Sequence, residues 1–190
     1  MRVVGGTARG RRLNAPHTLD TRPTSDRVRE AVFSMLSSLD AIRGAAVLDL
    51  FAGSGALGIE AMSRGAARAV LVESSGQAVD AITANLAVLG DRESDVRIVR
   101  GDALAYSRTC GYFDVVFADP PYAFGGWEEL GGALETRAGL LVIETTDRQP
   151  SVEEILGSLW ETVKVKRYGG TVVLVVRPLA VEGPAEEGNS

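Results

Sequence analysis

The sequence predicts an α/β domain: a seven-stranded, doubly wound and mostly parallel sheet, finished by an antiparallel C-terminal hairpin and preceded by a small N-terminal β-hairpin extension. Three observations predict it. Short runs rich in Val, Leu, Ile and Phe do not alternate with polar residues, as expected of parallel strands covered on both faces. Helical spacings fill the stretches between those runs, and repeated strand and helix units wind a sheet of this type. Two stretches near the C-terminus, Trp160 to Tyr168 and Thr171 to Val176, flank Gly169 and Gly170, a hairpin signal.

In chain order, Arg2 to Leu13 holds Gly5, Gly6 and Gly10 between short apolar pieces and reads as the small hairpin. Ser25 or Asp26 is set to cap a helix reaching Leu39, with Val28, Val32, Met35, Leu36 and Leu39 on one face. The parallel strands are Ala46 to Phe51, Ala69 to Glu73, Val96 to Arg100, Phe113 to Ala118 and Leu140 to Thr145. Ala56 to Met62 opens a helix from a glycine turn, and Ala78, Val79, Ile82, Leu86 and Leu89 mark another. Trp160 to Tyr168 and Thr171 to Val176 form the closing hairpin. Residues 1–24 then make a basic extension, residues 25–178 the main domain, and residues 179–190 an acidic tail with the composition of a disordered segment.

Composition narrows the function classes. No run is long and apolar enough to span a bilayer and no signal peptide is recognisable, so a soluble cytoplasmic protein without a membrane partner is expected. One cysteine, Cys110, and one histidine, His17, leave neither an internal disulfide nor a zinc site, and no metal is expected. The formal net charge of -5 is unevenly spread. Residues 1–29 carry seven arginines against Asp20 and Asp26, a surplus of five positive charges, so the remainder carries ten negative ones. An acidic body with a basic arm suits a nucleic-acid binder, because phosphate neutralisation is local; an ordinary solvated terminus fits the same charges.

The stretch "VLDLFAGSGALGIEA" places Gly53, Gly55 and Gly58 in a G-x-G-x-x-G pattern between strand and helix. Such glycines allow a tight turn and bring a ligand close to amides at a helix N-terminus. Glu73, at the end of the second strand, is placed to take ribose hydroxyls, which a nicotinamide dinucleotide also fits. Asp49 and Asp102 add two carboxylates to the same crevice and would repel a pyrophosphate. S-adenosylmethionine suits them, with Asp49 toward the ammonium side, Glu73 at the ribose and Asp102 at the adenine amine. Capping of a turn or helix is the other reading of Asp49 and Asp102.

"ADPPYAF" follows the fourth strand, which ends beside the first at the point where strand order reverses. The proline pair stiffens the loop. The Asp119 carboxylate and Pro120 carbonyl can draw the hydrogens of an exocyclic base amine out of plane, and Tyr122 offers a stacking face. The carboxylate also stabilises positive charge developing on the nitrogen.

With these motifs, residues 45–122 resemble the class I S-adenosylmethionine-dependent methyltransferases carrying a D-P-P-Y motif, a Rossmann-like group that modifies amino nitrogens. "TRPTSDRVREAVFSML" is similar to the RsmD family, bacterial 16S ribosomal RNA guanine-N2 methyltransferases. The resemblance implies cofactor contacts from Asp49, Phe51, Ala52, Gly53, Ser54, Gly55, Glu73, Asp102, Ala103 and Asp119, and catalysis at Asp119, Pro120, Pro121 and Tyr122. It implies 16S RNA within the small ribosomal subunit, or its assembly intermediate, as partner. A monomer is expected. Arg9, Arg11, Arg12 and Arg22 are the expected phosphate contacts. A DNA adenine methyltransferase, a dehydrogenase and a ribosome assembly factor without turnover are the rival readings.

Overall fold

The computed structural model describes residues 1–15, 25–121, 123–146 and 156–179. Its centre is one seven-stranded sheet of order β3-β2-β1-β4-β5-β7-β6. The strands are β1 (Ala46–Asp49), β2 (Arg68–Glu73), β3 (Val96–Arg100), β4 (Phe113–Ala118), β5 (Ala138–Thr146), β6 (Trp160–Tyr168) and β7 (Thr171–Pro178). The first five run parallel, and β7 is antiparallel to both β5 and β6. Among the described residues the helices are α1 (Asp26–Ser37), α2 (Ala56–Ser63), α3 (Gly76–Leu86), α4 (Ala103–Ser107) and α5 (Trp127–Leu134). Among the described residues, no helix is long and apolar enough to cross a membrane.

The unbroken apolar runs are explained by the two cores they feed. Along β4, Val115 and Phe117 enter the core formed with α1, α2 and α3, while Val116 and Ala118 enter the core formed with α4 and α5. Successive strand residues point to opposite faces, so the middle of a strand buried on both sides is apolar; the one charged residue of β4, Asp114, is exposed near its start, where it accepts from the Ala46 amide at 2.7 Å. Phe117 is fully buried against Phe33 of α1, with ring centroids 5.7 Å apart. Truncating such a residue to alanine costs roughly 3–5 kcal/mol.

Several boundaries differ from the sequence reading, each for a local reason. The first strand stops at Asp49 rather than Phe51, because the chain already turns into the glycine loop. Helix α1 stops at Ser37 rather than Leu39: the Ser38 hydroxyl donates to the Met35 carbonyl, and Asp40 takes a φ of 50°. The apolar stripe running to Leu89 covers α3 only to Leu86, after which 3₁₀ turns spanning Ala87–Asp95 break at Gly90, φ 59°.

The N-terminal hairpin is reduced to a single antiparallel bridge, Arg2 with Arg12, because Gly6 and Gly10 adopt positive φ and end any extended run. It is nonetheless packed. Val3, Ala8 and Leu13 are buried in the first core. The Thr7 amide donates to the Ser63 carbonyl (2.8 Å) and the Ala8 amide to the Ser63 hydroxyl (2.9 Å), at the far end of α2. Arg29, fully buried in α1, donates to the Arg2 carbonyl and pairs with Asp26 at 2.7 Å. The arm therefore lies lengthwise along α2.

Candidate active site

Between β1 and β4 the strand order reverses, and two loops leave the sheet side by side. Asp49 is in register with Phe117, so Asp119 stands two residues beyond it on the neighbouring strand.

The glycine loop is tightly turned. Gly53 and Gly55 have φ of 54° and 77°, and the Gly55 amide donates to the Ala52 carbonyl at 2.7 Å. A Cβ on Gly53 would meet nothing nearer than the Phe51 carbonyl oxygen at 4.0 Å, which leaves that face of the loop open to a ligand. Gly58 serves another purpose: a Cβ there would lie 2.0 Å from the Leu71 side chain, so this glycine lets α2 approach β2.

Asp49 is 1 % exposed. Its Oδ2 accepts from the Gly58 amide at 3.1 Å, and its Oδ1 has no hydrogen-bond partner. Burial raises its pKa to about 7; the Gly58 amide opposes this, the Asp119 and Glu73 charges add to the rise, and the Phe51 amide lowers it. The three carboxylates come from the neighbouring ends of β1, β2 and β4, where Asp49 is in register with Leu71 and with Phe117. A buried carboxylate oxygen lacking a partner fits a cationic ligand, and the positively charged donor S-adenosylmethionine meets that requirement.

Glu73 ties the loop to the next helix. One carboxylate oxygen accepts from the Gly53 amide (2.9 Å), the other from the Ser75 amide (2.8 Å). Asp102 caps α4: its Oδ1 accepts from the Ala105 amide at 2.8 Å, and the residue is exposed. Capping does not exhaust a carboxylate, since each oxygen has two lone pairs. Ala103 beside it is buried, as are Ala52 and Ser54, while Phe51 is half-buried.

Asp119 and Pro120 are half-buried and Pro121 exposed. The Phe124 amide donates to the Pro121 carbonyl at 2.8 Å, closing a turn. Phe124 then packs edge-on against Phe51 and Trp127, both at 5.2 Å, so the two loops are joined by aromatic contact. Trp127 belongs to the second core. Tyr122 and Arg22 lie outside the described residues, as do His17 and residues 180–190 of the tail.

The chain matches the family model described as "Conserved hypothetical protein 95" over residues 1–177. It is 41% identical over 141 residues to ribosomal RNA small subunit methyltransferase D of Escherichia coli strain K12, covering 74% of this chain and 69% of that protein. The chain belongs to the RsmD family. Against the Haemophilus influenzae methyltransferase D the identity is 35% over 178 residues, 89% of each chain. The solved Escherichia coli protein yhhF superposes with a TM-score of 0.78 at 34% identity, covering 94% of this chain and 97% of that one. The RsmD architecture expected from the sequence, a methyltransferase sheet with an antiparallel final hairpin, is the one observed.

Two features of the site have no motif in the sequence. Asn85, 2 % exposed on α3, donates to the Ser54 carbonyl and to the Asn14 carbonyl, each at 2.9 Å, and accepts from the Asn14 amide at 2.8 Å. It clamps the glycine loop to the N-terminal arm. The only signal available was a polar residue three positions after Ile82 on an apolar stripe. Phe124 is the second: an aromatic residue after the prolines reads as ordinary core. Arg9, Arg11 and Arg12 are exposed, and among the described residues none has an ion-pair partner.

Proposed function

We propose that the chain transfers a methyl group from S-adenosylmethionine to the exocyclic N2 amine of a guanine in 16S ribosomal RNA, acting on the small subunit or its assembly intermediate. One observation carries this reading: Asp119 stands two residues beyond Phe117, the strand partner of buried Asp49, so the proline loop leaves the sheet beside the glycine loop. The names of the methyltransferase D relatives support the ribosomal RNA substrate.

When bound, the donor supplies a methyl carbon activated by its positively charged sulfur. Asp49 would hold its cationic end, Glu73 its ribose hydroxyls and Asp102 its adenine amine. The guanine N2 lone pair is delocalised into the ring and is a poor nucleophile. Asp119 and the Pro120 carbonyl accept its two hydrogens and turn the lone pair toward the methyl carbon. Transfer to that lone pair would exchange the donor's C–S bond for an N–C bond, with the donor released as a neutral thioether, and the nitrogen held by Asp119 would then give up one proton to water. Proline stiffness fixes these acceptors before the base arrives, which lowers the entropic part of the barrier. The negative charge of Asp119 stabilises the cationic nitrogen as it develops.

Mass spectrometry of 16S RNA from cells lacking the gene tests this, with the purified protein added back to naked RNA and to subunits. An added methyl on a guanine N2 is expected; transfer to another atom, or none to either substrate, would contradict it.

A further inference from the structure

The β6–β7 hairpin rises on the same edge of the sheet as the Asp119 loop. Tyr168 and Thr146 are both in register with Thr171, whereas Ala118 is in register with Ile143, three residues earlier on β5. At ~3.3 Å per residue the hairpin therefore extends about 10 Å past the end of β4. Three strand spacings of ~4.8 Å separate β6 from β4, about 14 Å across the sheet.

This hairpin carries a concentration of positive charge that the arm does not account for. Lys164 and Lys166 are the only lysines in the chain, and both lie on β6. Tyr168 packs toward the α1 side, Lys164 reaches the Ser38 hydroxyl at the end of α1, and Lys166 lies between them on the same face. Arg27, from the first turn of α1, stacks over the Tyr168 ring at 5.9 Å. Arg27, Lys166 and Arg167 are exposed, and the nearby Glu161 carboxylate is engaged by Arg177. Lysines on an edge strand also discourage strand pairing between molecules. That purpose does not require an arginine from a different element to be held over the hairpin's tyrosine, on the edge of the sheet where the base is to react.

We infer that the α1–β6 face, Arg27 on Tyr168 with Lys166 beside it, is a second RNA-contacting surface that holds the phosphate strand leading into the Asp119 loop. The inference rests on the RNA substrate proposed above. The two offsets combine to about 17 Å, about five stacked nucleotides at 3.4 Å each, so the contact falls on the strand flanking the target base. These side chains read no base. They orient the strand, as phosphate contacts do.

The test measures binding of 16S RNA to the full chain across a salt series, for the unaltered protein and for Arg27→Gln with Lys166→Glu. Adenosylmethionine binding by calorimetry serves as the folding control. The double variant is expected to bind RNA at least tenfold more weakly, with a slope of log affinity against log salt shallower by roughly 1.4, two contacts at about 0.7 each for single-stranded RNA. Donor affinity stays unchanged, and in turnover KM for RNA rises more than kcat falls. Should the double variant fold poorly, Lys166→Gln alone is expected to make the slope shallower by about 0.7. Unchanged RNA affinity and slope in both variants would overturn the surface. If the unaltered chain binds RNA with the expected differences yet methylates no guanine, the surface stands and the proposed reaction fails.

Discussion

The rim of the sheet divides at the switch point into a side lined by carboxylates and a side on which β6 and the start of α1 expose basic residues, with Glu144 of β5 half-buried between. On the β1–β2–β3 side, Asp49 and Glu73 stand at neighbouring strand ends and Asp102 caps the next helix along. Arg100 also ends β3, but its guanidinium lies against Gly76 at the start of α3. On the β5–β6–β7 side, Arg27, Lys166 and Arg167 are exposed. The proposed donor is a cation and the proposed acceptor a polyanion, so each half suits one of them. Asp119 stands at the boundary between them. A net charge of -5 conceals this arrangement, which shows that an RNA-modifying enzyme does not need a basic overall balance.

The sharpest way to break the comparison is at the boundary. Asp119→Ala should lower the rate of methyl transfer by about 10²–10³-fold, the range for losing one electrostatic contact to a transition state. A subunit methylation assay with radiolabelled donor measures it. Undiminished transfer would remove Asp119 from the mechanism, and normal subunit maturation without transfer would favour an assembly role.

The acidic half is tested by pH. Asp49 has a folded pKa near 7, above the ordinary carboxylate value, so the folded state holds a proton that the unfolded state releases. Stability without ligand should therefore be greatest at acid pH and fall as pH rises from about 4 through 7. A cationic ligand reverses the preference and favours the carboxylate. Donor affinity should weaken below pH 7 and level off above it, with proton release on binding near pH 6 visible by calorimetry in buffers of different ionisation heat. Asp49→Asn should abolish that proton release and bind the donor at least tenfold more weakly.

A smaller effect is expected at the clamp. Asn85→Ala removes three hydrogen bonds, those to the Asn14 amide, the Asn14 carbonyl and the Ser54 carbonyl, at a cost of about 1–3 kcal/mol for each group that stays buried. Denaturant unfolding should show the loss, and donor affinity should fall several-fold because Ser54 lies in the glycine loop. The mildest expectation concerns the arm: Arg9, Arg11 and Arg12 changed together to alanine should make the salt slope of RNA binding shallower by about 2, with donor affinity unchanged.

Much of the fold was legible because its signals are local. Val96–Arg100 and Phe113–Ala118 have the bounds read from their apolar runs, and Trp160–Tyr168 the bounds read from the glycine pair that follows it. Ser25 caps α1, and its hydroxyl accepts from the Val28 amide. The glycine pattern, Glu73 and the proline loop were visible as candidates, since each is a short motif at the end of an apolar run. What the sequence could not show is which distant groups meet. Val3, Ala8 and Leu13 have no helical or strand period, so their burial against α2 had no signature. Arg29 reads either as one more charge of a basic arm or as a residue fixing the helix that joins the arm to the core, and spacing does not decide between them; it is fully buried on α1, donating to the Arg2 carbonyl of the arm. Likewise, Arg27 and Tyr168 are 141 positions apart in the chain and meet only because the final hairpin folds back beside α1.

A crystal structure with S-adenosylmethionine bound tests the central claim most directly. The methyl carbon is predicted to point at the space bordered by the Asp119 carboxylate and the Pro120 carbonyl, with the ribose hydroxyls on Glu73. A donor bound with its methyl carbon turned away from that loop, or with its ribose remote from Glu73, would contradict it.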